Sequence, residues 1–236
     1  MVQKDFRLMR RPEFFAVAGF AVFHIDRPRL GIIYDLFLQL PVGGNAQKFA
    51  IECIRKFKEQ GTLISFDVNY RANLWTGEEA RACIEQILPF VDIFFCSEDT
   101  ARLTFGKTGT IEEIQKSFCE EYPISVVAST ERTVITPKKH NFTSIIYSAK
   151  NDSYYREEPY NNIDVVDRIG SGDAYVSGAL YGYLKHKDCR KALEYGNAMA
   201  AIKHSVIGDM ITTDLEEIDS IIAEHKNTGY HSEMNR

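Results

Sequence analysis

At 236 residues with 44% hydrophobic content, the chain is long enough to bury the core of one α/β domain. A formal net charge of -5 leaves no basic footprint and argues against nucleic acid as the partner. The longest apolar runs, such as residues 14–24, fall short of the ~20 residues of a membrane span, so no membrane partner is expected.

Residues 1–42 are hard to place in a packed domain. Prolines stand at 12, 28 and 41, arginines cluster, and no periodicity is sustained. Lys4, Arg7, Arg10 and Arg11 ahead of the 14–24 run resemble the basic start of a signal peptide, but no convincing cleavage pattern follows. A domain is expected over 43–225, followed by a polar tail over 226–236.

Gly44 and Asn45 suit a helix cap, and Ala50, Ile51, Ile54 and Phe57 then recur at helical spacing. After Gly61, residues 62–66 read as a strand ending at Asp67, Asn69 and Arg71. In an open α/β sheet ligands gather at the carboxyl ends of strands, so these polar residues are functional candidates; on residue type alone an ordinary turn with a solvent-facing arginine is favoured. A helix is expected over 78–88, a strand over 92–96, a short helix over 98–105 closed by Gly106, and a helix over 111–121. A strand at 124–128 then opens into Ser129, Thr130, Glu131 and Arg132. Short β-like runs at 134–136, 144–147 and 154–157 read as an antiparallel edge.

Residues 167–184, DRIGSGDAYVSGALYGYL, are the most informative stretch. A β-branched run at 163–166 leads into Gly170-Ser171-Gly172-Asp173, and a proline-free apolar stretch with small residues follows, so the pattern is strand, glycine turn, helix. Glycines at a helix start let amides approach an anion, and the helix dipole favours negative charge there. Asp173 stands where a phosphoryl group would sit and could accept the proton of an attacking hydroxyl. The alternative is a glycine-rich helix cap with an acidic first turn. Downstream, residues 191–204 form a largely buried helix and 214–224 a final amphipathic one.

The 167–184 stretch resembles the C-terminal signature of the ribokinase-like (PfkB-type) carbohydrate kinases, usually D-T-x-G-A-G-D. Asp167, Gly170, Gly172, Asp173, Tyr175 and Gly178 match, while Arg168-Ile169 and Ser171 depart from the usual Thr-x and Ala. The D-R-I-G-x-G-D form is similar to the branch acting on 2-keto-3-deoxygluconate, as are D-x-N-x-R-x-x-L-W from Asp67 and S-T-x-R from Ser129. The likeness runs from about residue 45 to 209. It implies an α/β fold, a ribokinase-like three-layer sandwich with a mostly parallel central sheet, in which the N-terminal strands and lid are missing. Phe23-His24 is the one upstream remnant of the pattern, and Gly43-Gly44 is better read as helix entry than as the family's sugar-binding glycines.

The resemblance implies roles as well. Asp173 would be the catalytic base, with Gly170, Ser171 and Gly172 lining the hole for the transferred group and Arg71 binding the acidic substrate or phosphates. Ser129, Arg132 and Asn197 would bind nucleotide, and Asp167 would lie near a monovalent cation, K+, or serve the loop's hydrogen bonds. ATP, Mg2+ and a small sugar acid are the implied ligands. Aligned on Leu103-Thr104-Phe105-Gly106, Ser97 and Thr100 replace the family's N-x-x-E, which removes a residue pair linked to magnesium. Five cysteines without C-x-x-C spacing fit reduced thiols in the cytoplasm. An uncovered sheet edge would favour a homo-oligomer. The alternative function is a nucleotide-binding remnant of such a kinase with no sugar-kinase activity.

Overall fold

The computed structural model describes Leu40 and residues 43–227; the expectations for 1–39 and 228–236 lie outside them. The chain divides into two compact units between Val127 and Ala128.

In the first unit, α1 (Gly44–Glu59) buries Ala50 and Ile54, while Arg55 on its outer face is bracketed by Glu52 and Glu59, each 2.7 Å away. It starts behind Gly43 in a left-handed conformation rather than at an Asn45 cap. The parallel strands β1 (Ser65–Asp67) and β2 (Ile93–Phe95) pair Phe66 with Phe94. Their rings stack at 6.4 Å, and Phe94 meets Phe118 edge-on at 5.0 Å, which centres the core there. β1 is shorter than the expected 62–66 because the Ile64 amide donates to the Asp92 carboxylate at 2.9 Å. The same carboxylate holds Lys58 at 2.6 Å, tying the end of α1 to the strands.

α2 (Gly77–Ile84) and α4 (Ile111–Glu121) each begin in a capping box, Thr76 with Glu79 and Thr110 with Glu113. α2 stops four residues short of the expected end at residue 88. Pro89 lacks an amide and disfavours helix in Leu88, so Leu88–Phe90 forms a 3-10 turn instead. α3 (Glu98–Phe105) ends at left-handed Gly106, as the sequence predicts.

β3 (Val126–Thr136) begins in the first unit and continues in the second, where Pro137-Lys138 joins it to β4 (Lys139–Ser148). β5 (Ser153–Arg156) and β6 (Tyr160–Asp164) pair antiparallel with successive halves of β4. α5 (Ser171–His186), α6 (Cys189–His204) and α7 (Leu215–Lys226) complete the unit. α7 is fastened to α6 by the ion pair of Lys226 with buried Glu194 at 2.6 Å, and Lys191, on α6 itself, holds the other oxygen of that carboxylate at 3.0 Å. The Tyr195 hydroxyl also donates to Asp219 at 2.5 Å.

α5 and α6 meet backbone to backbone. A Cβ on Gly178 would stand 2.4 Å from the Tyr195 carbonyl oxygen, a contact that a peptide group cannot relax by a rotamer change. Gly178→Ala is expected to destabilise the chain by about 1–3 kcal/mol, read as a lower urea midpoint. An unchanged midpoint would mean that the two helices do not approach so closely.

Candidate active site

The site is built from two loops of the second unit. The first, Val166 to Ser171, leaves β6 and enters α5; the second, Lys203 to Asp209, leaves α6. Backbone hydrogen bonds knit them together, since the His204 carbonyl accepts from the Val166 amide at 2.8 Å and from the Asp167 amide at 3.2 Å. Gly170 adopts φ 78°, and a Cβ there would stand 2.0 Å from the Asp209 carbonyl oxygen. Only glycine combines the left-handed turn with that proximity.

Asp167 locks the arrangement. One carboxylate oxygen accepts the Ile169 amide at 2.9 Å and the other the Gly208 amide at 3.1 Å. These two donors, in that order, hold its carboxyl below the ordinary value of 3.8, with the Lys203 charge contributing. Lys203 is fully buried, and its Nζ donates to the Asp167 carbonyl at 3.2 Å and the Val206 carbonyl at 2.8 Å.

Asp173 lies in the first turn of α5 with its side chain exposed. The direction a Gly172 side chain would take is open, with nothing within 4 Å. Ser171 is less available, because its amide donates to the Arg168 carbonyl at 3.2 Å. The turn therefore presents Gly172 and Asp173 outward on a helix N-terminus, where partial positive charge gathers.

Other expected site residues are placed differently. Ser129 and Arg132 do not open a strand-end loop, because β3 runs on to Thr136 through the β-branched Thr133, Val134 and Ile135. Ser129 is buried and Arg132 exposed. Asn197 is fully buried with both ends of its amide engaged, accepting from the Ser144 hydroxyl and donating to Glu157, each at 2.7 Å. In this position it is an internal tie that steadies Glu157, whose carboxyl burial pushes up. Arg71 belongs to the first unit, exposed beyond β1, where Asp67 accepts the amide of left-handed Asn69. Ser97 and Thr100 are also in that unit. Their hydroxyls bond each other at 2.8 Å while Ser97 caps α3, a poor fit to a magnesium-ligand pair.

Two residues escaped the sequence reading. Arg168 stands with Arg132 close enough to buried His140 that, after burial itself, their charges help hold its imidazole below 6.5. Lys203 was hidden in an apolar helix pattern; a lysine in the last turn of so buried a helix is the signal that could have found it.

A family model described as pfkB family carbohydrate kinase matches residues 42–215, and the chain belongs to that family. It is 29% identical over 171 residues to a 2-dehydro-3-deoxygalactonokinase of Haloferax volcanii, covering 72% of this chain and 50% of that one. An ATP-dependent 6-phosphofructokinase of Thermoanaerobacterium thermosaccharolyticum is 30% identical over 189 residues, covering 78% and 53%. The crystal structure of a 2-dehydro-3-deoxygluconokinase from Thermotoga maritima matches with a TM-score of 0.76 and 25% identity, over 83% of this chain and 60% of that one. The ribokinase-like α/β fold expected from the sequence is thereby shown. The chain spans about half the length of the curated relatives it matches.

The Asp167 lock carries its own pH signature. Its folded pKa lies below 3.8, so its stabilising contribution is complete above that value and is lost as pH falls through the lowered one. Asp167→Ala is expected to lower stability at pH 7 and to remove part of the acid-induced loss that sets in as pH falls below 3.8, measured by urea unfolding from pH 7 downward. Parallel curves for wild type and variant would contradict the lock.

Proposed function

We propose that this chain carries the catalytic part of an ATP-dependent kinase acting on 2-keto-3-deoxygluconate or a related sugar acid, with Asp173 as the base. The observation that carries the reading is the exposed Asp173 carboxylate in the first turn of α5, behind left-handed Gly170 and beside open space at Gly172. A hydroxyl oxygen of the sugar attacks the γ-phosphorus while its proton passes to Asp173. The bond from that phosphorus to the β–γ bridging oxygen breaks, and its electron pair leaves with ADP. The first-turn amides of α5 and the helix dipole stabilise the charge on the moving group.

Arg132 and Arg168 add positive charge on this unit, suited to nucleotide phosphates. Magnesium neutralises phosphate charge when bound with ATP. Among the described residues no cluster of three His, Cys, Asp or Glu occurs. The sugar-acid class rests on the block around Arg71, a planar donor matched to a carboxylate, and on the names of the relatives above. The described cysteines are free, and burial pushes the thiols of Cys83 and Cys189 up to about 11, which fits a reducing cytoplasm. Among the described residues no helix is long and apolar enough to cross a membrane.

ADP release in Mg-ATP with a panel of sugar acids tests the assignment. Turnover that depends on a 2-keto-3-deoxy sugar acid is expected. Asp173→Asn should lower it by about 10²-fold or more while calorimetric ATP binding changes little. Retained turnover in Asp173→Asn would remove the base. ATP binding without sugar-dependent turnover in the wild type would favour a nucleotide-binding protein.

A further inference from the structure

The most unusual group near the candidate site is a charged one that its proposed chemistry does not use. Lys203 ends α6, is fully buried, and directs Nζ at two backbone carbonyls, those of Asp167 and Val206. Burying an ammonium costs several kcal/mol unless it is paired and hydrogen-bonded, so a lysine here calls for a compensating task. The residues it touches supply one. Asp167 begins the signature turn, and Val206 lies in the loop whose Gly208 amide returns to the Asp167 carboxylate.

These atoms bear on the monovalent cation that the sequence resemblance places near Asp167. A potassium ion bound by protein exchanges its hydration shell for several oxygens, commonly carbonyls. Here the Asp167 carbonyl already accepts from the Lys203 ammonium, and each Asp167 carboxylate oxygen already accepts a backbone amide. Because the Lys203 ammonium already occupies that carbonyl and repels a second cation, the residues present do not fit such an ion at Asp167. What the turn has instead is a cation fixed by a covalent stem.

We propose that Lys203 is a positioning residue whose ammonium replaces a monovalent cation, drawing the Asp167 and Val206 carbonyls together beneath the phosphoryl-binding turn. It touches no reacting atom. Its charge holds the second loop against the first and adds a fixed positive potential near the Gly170–Asp173 turn, so the site needs no potassium. The effect on phosphate binding rests on the proposed kinase reading, whereas the effect on the fold does not.

The test compares potassium chloride with choline chloride at equal ionic strength and uses two readouts, the thermal unfolding midpoint and the affinity for Mg-ATP. Wild type is expected to show the same midpoint and affinity in both salts. Lys203→Met, which keeps most of the length and loses the charge, should have a lower midpoint and bind Mg-ATP roughly tenfold or more weakly. Lys203→Ala opens space before the carbonyls, and its midpoint should rise with added potassium or methylammonium. A saturable response of the wild type to potassium would overturn the proposal, as would a Lys203→Met protein equal to wild type in choline. Should neither variant fold, the wild-type salt comparison decides on its own. Should Mg-ATP fail to bind at all, the kinase reading fails and the midpoints still judge the lysine.

Discussion

The second unit depends on a crossed pair of ties between two loops. Asp167 reaches from the first loop to the Gly208 amide of the second, and Lys203 reaches back to the Asp167 carbonyl. Hydrogen bonds to charged groups are stronger than those between neutral ones, so these ties fix loops that regular secondary structure leaves unsupported. With them fixed, Gly170 can hold its left-handed turn against the Asp209 backbone and α5 can begin where it does. The position of Asp173 at the helix mouth follows from those contacts, because a carboxylate on a frayed first turn would have no defined direction.

Behind this turn the unit is held together by close backbone packing. α5 and α6 approach so closely at Gly178 and Gly182 that backbone rather than side chain fills the interface. Asn197, fully buried on α6, ties that helix to β4 through Ser144 and to Glu157 beyond β5. Helix α6 therefore carries the second loop at its C-terminal end while being anchored along its length.

Where local rules dominate, the sequence was legible. Helix α3 is bounded by a Ser97 cap and a Gly106 stop, and α4 begins at the Thr110–Glu113 box, so the chain itself carries their ends. The Gly170–Asp173 turn was legible for the same reason, since glycines ahead of a proline-free apolar run permit few alternatives. What failed depended on distant partners. Ser129 and Arg132 look like a turn by composition, but pairing along β3 keeps them extended. The burial of Asn197 was hidden in the same way, since its partners Ser144 and Glu157 lie far away in sequence. Lys203 stands out as a lysine in the last turn of a buried helix, but its partners are backbone oxygens, which no residue pattern advertises.

The phosphoryl transfer proposed for this chain has its location in the geometry of one turn. Amide hydrogen exchange with and without Mg-ATP asks most directly whether phosphate meets that turn. The account predicts that Gly172 and Asp173 gain protection when nucleotide is added, while amides along α1 exchange as before. Unchanged exchange at those two residues under saturating nucleotide would contradict it.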